Sequence, residues 1–396
     1  MQAFSKQLIA FHISSPLRGI RGGLLFLFVF VNTSMAQDIN IVLRSIDEGN
    51  LQLRAARHAN AATVAETQSE NTLGETSVEY SPFYQSGVMG LASSELIVSQ
   101  EFDFPTLYSA RRKTASLQQQ MLDDEYQLLR RDILFEGASL CFDLYSAQQT
   151  ALLLQQRLDA ADSLLSICQR RLQHGDATII ELNRVKMDHM TVMKEKIQNQ
   201  GEITTLRLAL QKMAPQLQFA EDDVITVSNI DYPIPAVSGW SAASSSLTLS
   251  QHETTIARQG WLPKLTAGYR RNTEMKNAQN GVLVGVALPL FTNKSKVKAA
   301  RMRQDAAEQE LERVRSEADN KRHALITEKE NLQQLLSAYD TDLMHQTLSL
   351  LMRAVTAGQL SIIDYYTEAD RIYTALQEHL ATQNKYSKTT LESTLY

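Results

Sequence analysis

The chain has 396 residues, a net charge of −5 and only two cysteines, with 43% hydrophobic and 21% charged residues. The excess of acidic over basic residues argues against a general nucleic-acid binder, so we expect no nucleic-acid partner. Cys141 and Cys168 fall on one predicted helix, about 40 Å apart, which excludes a disulfide between them. Both are predicted to be small buried side chains.

Residues 1–36 have the pattern of a secretory signal peptide. Three basic residues and no acidic residue precede a short apolar core at Leu24–Val31, and Ser34-Met-Ala36 ends it as a small-x-small cleavage site. The apolar core is too short to cross a bilayer as a helix, so an uncleaved membrane anchor is the weaker interpretation. No apolar run of transmembrane length follows residue 36 in the sequence.

The first half of the mature chain is dominated by one very long predicted helix. The predicted elements are, in chain order, a helix over 39–70, strands over 75–85 and 94–104, a long helix over 107–173 and a return helix over 177–213. In the long helix only Gly137 interrupts apolar residues at helical spacing. Its length of roughly 100 Å is far beyond that of ordinary globular helices.

A linker over 214–239, rich in proline and acidic residues, separates this half from a second one. The elements predicted there are a helix over 240–258, strands over 262–272 and 281–291, a long helix over 294–356 and a last helix over 360–392. Asn280-Gly281 is predicted to lie beside the turn between the two strands. The chain thus divides into a first repeat (37–213), a linker and a second repeat (240–396).

The two halves carry the same motifs in the same order. Gly175-Asp-Ala-Thr-Ile-Ile-Glu181 is matched 183 residues later by Gly358-Gln-Leu-Ser-Ile-Ile-Asp364. A second pair, Glu101-Phe-Asp-Phe-Pro105 and Val286-Ala-Leu-Pro289, repeats at an offset of 184. Internal duplication usually dictates a fold. We therefore predict two copies of one unit: helix, two strands, very long helix, glycine turn and return helix.

The strand patterns favour a membrane barrel. Val282, Val284 and Val286 alternate with residues that are mostly small, so that one face of the strand is large and apolar. Segments of about ten residues with one apolar face match the strands of transmembrane barrels, although a half-buried soluble sheet gives a similar pattern. Four strands cannot close a barrel, because about eight is the minimum, so a barrel would need several copies of the chain.

The ordered set of motifs resembles the outer membrane efflux (TolC-like) family over about 39–392. The resemblance is carried by the two glycine turns together with Gln100-Glu-Phe-Asp-Phe-Pro105, Arg111, Trp261-Leu-Pro263 and Gly285-Val-Ala-Leu-Pro289-Leu-Phe291. It implies a mainly α-helical chain with a small β part, made of duplicated long helical hairpins and four strands. Three such chains would form a β-barrel in the outer membrane of a Gram-negative bacterium and an α-helical tunnel through the periplasm.

The resemblance also implies a function. The assembly would be a passive exit duct for substrates delivered by an inner-membrane transporter through a periplasmic adaptor protein, with outer membrane lipid around the barrel. The alternatives are a periplasmic coiled-coil adaptor and a soluble coiled-coil scaffold. An adaptor would be expected to have one hairpin flanked by compact β-domains, whereas this sequence predicts two hairpins and four short strands.

Several site residues follow from the resemblance. The turns near Gly175 and Gly358 would form periplasmic tips that dock the adaptor, with the set Arg171, Gly175, Ile179, Leu182, Gly358, Ile362 and Ile363. Asp364 matches an acid that faces the tunnel constriction in the family, Glu181 is its counterpart, and Thr367 replaces the family's second acid. Three-fold symmetry would turn Asp364 into a ring of carboxylates; an ordinary solvated acid is the alternative.

Two further groups lie on the strands. Glu95, Glu101 and Asp103 are predicted to face the barrel lumen, where they would tune selectivity, although solvated surface positions explain them equally well. Aromatic residues near strand ends are predicted to form an interfacial girdle or to serve simple packing. They are Tyr80, Phe83, Tyr84, Trp261 and Tyr269.

The sequence offers no sign of an enzyme. It has no phosphate loop, no zinc-ligand spacing such as His-Glu-x-x-His and no Gly-x-Ser-x-Gly elbow. Its histidines and methionines are distributed along the chain, and Asp188-His189 is predicted to be solvated. We therefore expect no catalytic residue, no cofactor and no bound metal.

Overall fold

The computed structural model describes residues 37–87, 89–220, 223–227, 229–274, 277–289 and 293–396. The predicted signal peptide, and Leu290 and Phe291 of the fourth predicted strand, lie outside the described residues. Among the helices in the described ranges, none combines the length and the apolar content that a membrane span requires.

The described chain consists of eight helices and six strands. The first half contains β1 (Gln37–Asp38), α1 (Ile39–Gly49), α2 (Leu51–Ser69), β2 (Thr76–Phe83), β3 (Ser93–Phe102), α3 (Pro105–His174) and α4 (Ile179–Met213). The second half contains β4 (Ile225–Thr226), α5 (Gly239–Gln259), β5 (Lys264–Glu274), β6 (Asn277–Ala287), α6 (Asn293–Ser337), α7 (Thr341–Thr356) and α8 (Ile362–Ser393).

The long helix α3 spans 70 residues without interruption, which corresponds to about 105 Å. Pro105 begins it, at a position where the fixed φ of proline fits and its missing N–H is not needed. Gly175 ends it with a left-handed backbone. The prediction of one very long helix over 107–173 is confirmed to within two residues at each end.

Four strands form one antiparallel sheet in the order β2-β3-β5-β6, so that β3 and β5 join the two repeats. The strands overlap all four predicted strands, with ends shifted by up to four residues. The expected turn beside Asn280-Gly281 is wrong, because pairing continues past this dipeptide to Glu274 and Asn277. In the described residues β2 and β6 have no outer strand partner.

The helices form a layer below the sheet, and α3 lies inside it. Near the sheet α3 packs against α2 and α5, and toward the glycine turns it packs against α4 and α8. The helices α6 and α7 pack against α8, and α6 also packs against α5, which leaves them at one edge of the layer. A short parallel pair, β1 with β4, attaches the linker to the start of the chain.

The largest apolar core lies where α1, the linker and the end of α4 pack around the middle of α3. A polar triad borders it: Arg130 pairs with Asp47 at 2.7 Å, and Tyr232 of the linker donates a hydrogen bond to Asp47 at 2.6 Å. Burial raises the pKa of the Asp47 carboxyl, but the hydrogen bonds from Arg130 and Tyr232 outweigh it and leave the pKa below its ordinary value.

The two cysteines behave as predicted. Both lie on α3, both are free, and both are buried. Burial raises the pKa of the Cys141 thiol to about 12. A thiol that stays protonated at neutral pH is a poor nucleophile and a poor metal ligand, so packing is the role of Cys141.

Two helices that the sequence analysis treated as continuous are broken. Asn50 separates α1 from α2, and its side chain accepts hydrogen bonds from the amides of Gln52 and Leu53. Residues 338–340 separate α6 from α7, and Asp340 caps α7 by accepting from the Leu343 amide at 2.9 Å. Asparagine and aspartate start helices in this way. The prediction of unbroken helices over 39–70 and 294–356 is therefore wrong.

Candidate functional site

Each helical hairpin turns at a glycine with a left-handed backbone. The φ angle is 82° at Gly175 and 73° at Gly358. Equivalent hydrogen bonds close the turns, from the Asp176 amide to the Arg171 carbonyl at 2.8 Å and from the Gln359 amide to the Ala354 carbonyl at 2.9 Å. An added Cβ would meet no atom within 4 Å at either glycine. The backbone conformation alone therefore requires glycine here.

The acids predicted at the tunnel constriction cap the return helices. The Glu181 amide donates to the Thr178 hydroxyl at 3.2 Å, and the Glu181 carboxylate accepts from the Thr178 amide at 2.7 Å. In the second turn the Asp364 amide donates to the Ser361 hydroxyl, which itself donates to the Asp364 carboxylate at 2.7 Å. The Thr-x-x-Glu pattern of a capping box was visible in the sequence and was not used.

The predicted docking residues divide by burial. Ile179 and Ile363 are exposed, as is their neighbour Ile180, which the sequence analysis did not select. Leu182 and Ile362 are buried in the apolar core that joins α3, α4, α7 and α8 near the turns. Buried side chains hold the turns in place and offer no surface to a partner, so these two residues leave the candidate docking surface.

The other residues predicted near the turns are Arg171 of the docking set and the three residues of the proposed constriction. Arg171 is half-buried in the last turn of α3, where its carbonyl accepts from the amides of the first glycine turn. Asp364 and Thr367 are exposed on α8, and the Thr367 hydroxyl donates to the Ile363 carbonyl at 3.0 Å. Glu181 is half-buried on α4. Within a single chain the side chains of Asp364, Thr367 and Glu181 do not come together in one site.

A charge cluster lies above the turns, where α3, α4 and α8 meet. Arg157 contacts Asp188 and Asp370, each at 2.9 Å, and Glu195 at 3.8 Å. Arg184 approaches Asp370 at 3.6 Å. The guanidinium of Arg157 also lies over the ring of the buried Tyr373. The cluster ties three helices together through one arginine.

Burial raises the pKa of several groups in and beside this cluster. Burial raises the pKa of Asp370, and the nearby Asp188 adds to this effect, so that the two arginines do not bring it down to its ordinary value. Burial likewise raises the pKa of the Tyr365 and Tyr366 hydroxyls. The prediction that Asp188-His189 is solvated is wrong for Asp188, which is largely buried and pairs with Arg157, whereas His189 is partly exposed and lies 3.0 Å from Asp162.

The strand acids are paired with cations. Glu95 contacts Arg270, Glu101 lies 3.7 Å from Lys264, and Asp103 lies 2.7 Å from Arg111. Glu95 and Glu101 occupy one face of the sheet, which we call the polar face, and Asp103 continues its alternation beyond β3. The sequence analysis missed these pairs because the partners come from other elements.

The opposite face of the sheet, which we call the apolar face, is exposed. On it Val282, Val284 and Val286 have 85%, 78% and 60% of their surface accessible. Val78 and Tyr80 of β2 are exposed as well. The aromatic residues considered for an interfacial girdle are all exposed in the chain, namely Tyr80, Phe83, Tyr84, Trp261 and Tyr269. Their exposure is compatible with a lipid-facing role, and the girdle stays a prediction.

Among the described residues, no group of three or more histidine, cysteine, aspartate or glutamate side chains is arranged to hold a metal ion. The cavities are open grooves between helices, such as one of about 460 Å³ where α3, α5 and α6 meet the sheet. The described residues therefore form exposed contact surfaces and grooves lined by charged side chains.

Comparison with known proteins gives one clear result, at the level of the fold. No family model matches the sequence, and no curated protein matches it significantly. Solved structures do match. The Campylobacter jejuni CmeC outer membrane channel aligns with a TM-score of 0.72 and 14% identity over 90% of this chain and 85% of CmeC.

Two further structures agree. The outer membrane protein VceC from Vibrio cholerae has a TM-score of 0.72 and 14% identity, covering 90% of this chain and 94% of VceC. The open state of the Neisseria gonorrhoeae MtrE outer membrane channel has a TM-score of 0.73 and 15% identity, covering 90% and 88%. The chain therefore has the fold of TolC-like outer membrane channels, and the predicted resemblance and fold class are confirmed.

Proposed function

We propose that this protein is the outer membrane channel of a multicomponent efflux or secretion system in a Gram-negative bacterium. Three copies would form one duct, with the sheets closed into a barrel in the outer membrane and the helices extending into the periplasm. The duct is passive: an inner-membrane transporter supplies the energy and the substrate, and a periplasmic adaptor connects the two. Residues 1–36 would direct export of the chain across the inner membrane.

One observation carries this proposal: the sheet has two open edges and an exposed apolar face. Strands of 8 to 11 residues are close to the length of about 9–11 residues that crosses a bilayer. Open strand edges are not tolerated in lipid, so β2 and β6 need partners from other copies of the chain. A closed ring of three sheets supplies twelve strands and leaves no edge.

The rival function is a periplasmic coiled-coil adaptor or scaffold. It would account for the long hairpins, but it gives no reason for an apolar sheet face that remains exposed. It also gives no reason for the second hairpin. The channel proposal accounts for both features, since every helix would contribute to the tunnel wall.

The deciding experiment is to extract the full-length protein from outer membranes in mild detergent and to measure its mass. We expect a homotrimer that needs detergent to stay in solution and forms pores in planar bilayers. A water-soluble monomer recovered from the periplasm would refute the channel and favour the adaptor or scaffold.

The exposed tip residues are proposed to dock the adaptor. Replacing Ile179 and Ile363 with glutamate should abolish export while trimer assembly and conductance stay unchanged, because both side chains are exposed in the chain. Ile197→Glu is the matched control, since Ile197 is equally exposed on α4 but lies about 27 Å further from the turn. Equal loss of export in the control would remove the tips from the docking proposal.

The second proposed site is the constriction ring at Asp364, with Glu181 and Thr367 nearby. In a trimer the three Asp364 carboxylates would attract cations. Asp364→Asn should lower the cation preference in single-channel recordings, whereas Glu378→Gln, which removes an exposed charge about 21 Å further along the same helix, should leave it unchanged. An unaltered preference in Asp364→Asn would argue against the ring.

A further inference from the structure

A run of basic residues follows the last strand of the sheet. The first eleven residues of α6 contain five of them, Lys294, Lys296, Lys298, Arg301 and Arg303. The equivalent turns of the first repeat, residues 109–119 at the offset of 184, contain three, Arg111, Arg112 and Lys113. The net charge of the whole chain concealed this local excess from the sequence analysis.

These basic residues lie on two sides of α6. Ala300 is buried and marks the side that packs on the helix layer. At about 100° per residue, Lys296 and Arg303 lie roughly 40–60° from Ala300 in one direction. Lys294, Lys298 and Arg301 lie roughly 100–160° away in the other direction. We call these last three residues the basic stripe.

The first group belongs to the lumen side. Lys296 lines the groove of about 460 Å³ together with Asp103, Arg111 and Lys264. Asp103 and Lys264 continue the polar face of the sheet, which lines the lumen of the proposed channel, as their pairing with Arg111 and Glu101 indicates. Because the basic stripe projects from the other flank of α6, it points away from the lumen.

The basic stripe is free to bind an external anion. Its three side chains are exposed, and none of them has an acidic partner within ion-pair distance in the part of the chain that the structure describes. Lys294 is seven residues beyond the end of β6. The stripe therefore starts directly below the sheet and extends about 10 Å along the helix axis.

We infer that the basic stripe binds anionic phospholipid headgroups on the periplasmic surface of the outer membrane; this rests on the proposed channel function. A bilayer carries a headgroup layer of several ångströms on each side of its hydrocarbon core, next to the strand ends. Lysine and arginine side chains extend along apolar surface and place their charge at that level. Each such charge strengthens binding to an anionic surface about five-fold.

A neighbouring copy of the chain is a poorer occupant. In a ring, α6 would face the outer flank of α2 from the next copy, because β6 and β2 are the open edges. The exposed residues of α2 on the flank away from α3 include a single acid, Glu66; the others are Leu51, Ala55, His58, Ala62, Ala65 and Ser69. One carboxylate cannot neutralise three cations, whereas a surface of phosphodiester headgroups supplies one anion for each.

Trp261 provides a probe at this level, because it is exposed and lies three residues before β5. The only other tryptophan, Trp240, can be replaced by phenylalanine. The full-length protein would be reconstituted into phosphatidylcholine vesicles that contain either brominated phosphatidylglycerol or brominated phosphatidylcholine. Quenching of Trp261 then reports the local preference for the anionic lipid.

We expect quenching by the anionic lipid to be several-fold more effective, and this preference to vanish in K294Q/K298Q/R301Q. The control R315Q/R322Q/K329Q removes three charges from the same helix, starting about 32 Å further from the sheet than Lys294, and should keep the preference. The inference is overturned if the protein with an unmodified stripe shows no preference for the anionic lipid, or if the control variant loses that preference equally. Normal pore conductance in that case would leave the channel function intact, and failure to insert would refute both.

Discussion

The two long hairpins share a sequence pattern but occupy different places in the layer. Helix α3 is continuous and touches helices on both sides, with fully buried leucines such as Leu134 and Leu144 along its length. The α6–α7 pair is interrupted at 338–340 and lies at the edge, where Leu335, Leu343 and Leu350 are exposed. Duplication therefore reproduced the elements, while the neighbours of each copy decided which became the interior helix.

The largest expected difference concerns apolar truncation. Leu134→Ala should cost about 2–5 kcal/mol of unfolding free energy, because the side chain is fully buried. Leu335→Ala should cost less than about 1 kcal/mol, since half of its surface is already exposed. Denaturant unfolding in detergent, followed by circular dichroism, measures both. A large loss at Leu335 that grows with protein concentration would show that another copy covers this edge.

Ion pairs give the next contrast. Arg157→Ala leaves Asp188 buried without its partner, at a cost of about 2–3 kcal/mol after allowing for the partial exposure of Asp370. Glu328→Ala removes an exposed pair between α6 and α8 and should cost less than about 1 kcal/mol. The same unfolding assay applies. Equal losses would mean that the edge is as tightly bound as the interior.

The glycine turns are where the two repeats should behave alike. Gly175→Ala and Gly358→Ala each force a left-handed backbone on alanine, at about 1–2 kcal/mol. Gly201→Ala, in open space within α4, should instead stabilise the protein by about 0.5–1 kcal/mol. Thermal unfolding of the three variants tests this. Unequal losses at the two turns would break their equivalence.

The smallest expected effect is a loss of folding stability at acid pH. It concerns Asp47, which pairs with Arg130 of the interior helix α3. The pKa of Asp47 is lowered in the folded protein, chiefly by hydrogen bonds from Arg130 and Tyr232 acting against burial. Its stabilising contribution is therefore complete above the ordinary carboxyl value of about 4 and is lost as the pH falls through the lower folded value. Asp47→Asn should flatten the stability profile in that range, and an unchanged profile would contradict the assignment.

The spacing of apolar residues and the positions of glycine and proline predicted most of the fold. The absence of proline in α3 after Pro105, with glycine only at 137, and the glycine at the turn located that helix within two residues. The break at 338–340 was missed because no glycine or proline marks it; an aspartate that caps the next helix does. The start of a helix can be predicted from local sequence only if capping residues are considered together with glycine, proline and apolar spacing.

The sites were less predictable, because they depend on partners distant in the chain. Glu95 and Arg270 meet only through the register of β3 against β5. Arg157 joins three helices from residues as far apart as Asp188 and Asp370. Burial also separated adjacent residues: Ile362 is in the core while Ile363 is exposed, although the motif treats them alike.

The interruption between α6 and α7 has a mechanical consequence. A continuous rod of this length transmits any tilt of its lower end to the strand at its top. Below the break, α7 spans 16 residues, or about 24 Å. A rotation of about 10° at the joint moves the second turn sideways by about 4 Å while the upper helix and the sheet stay in place. The second hairpin thus has a break in one of its two sides near its lower end, where α8 would have to bend together with α7, whereas both helices of the first hairpin are continuous.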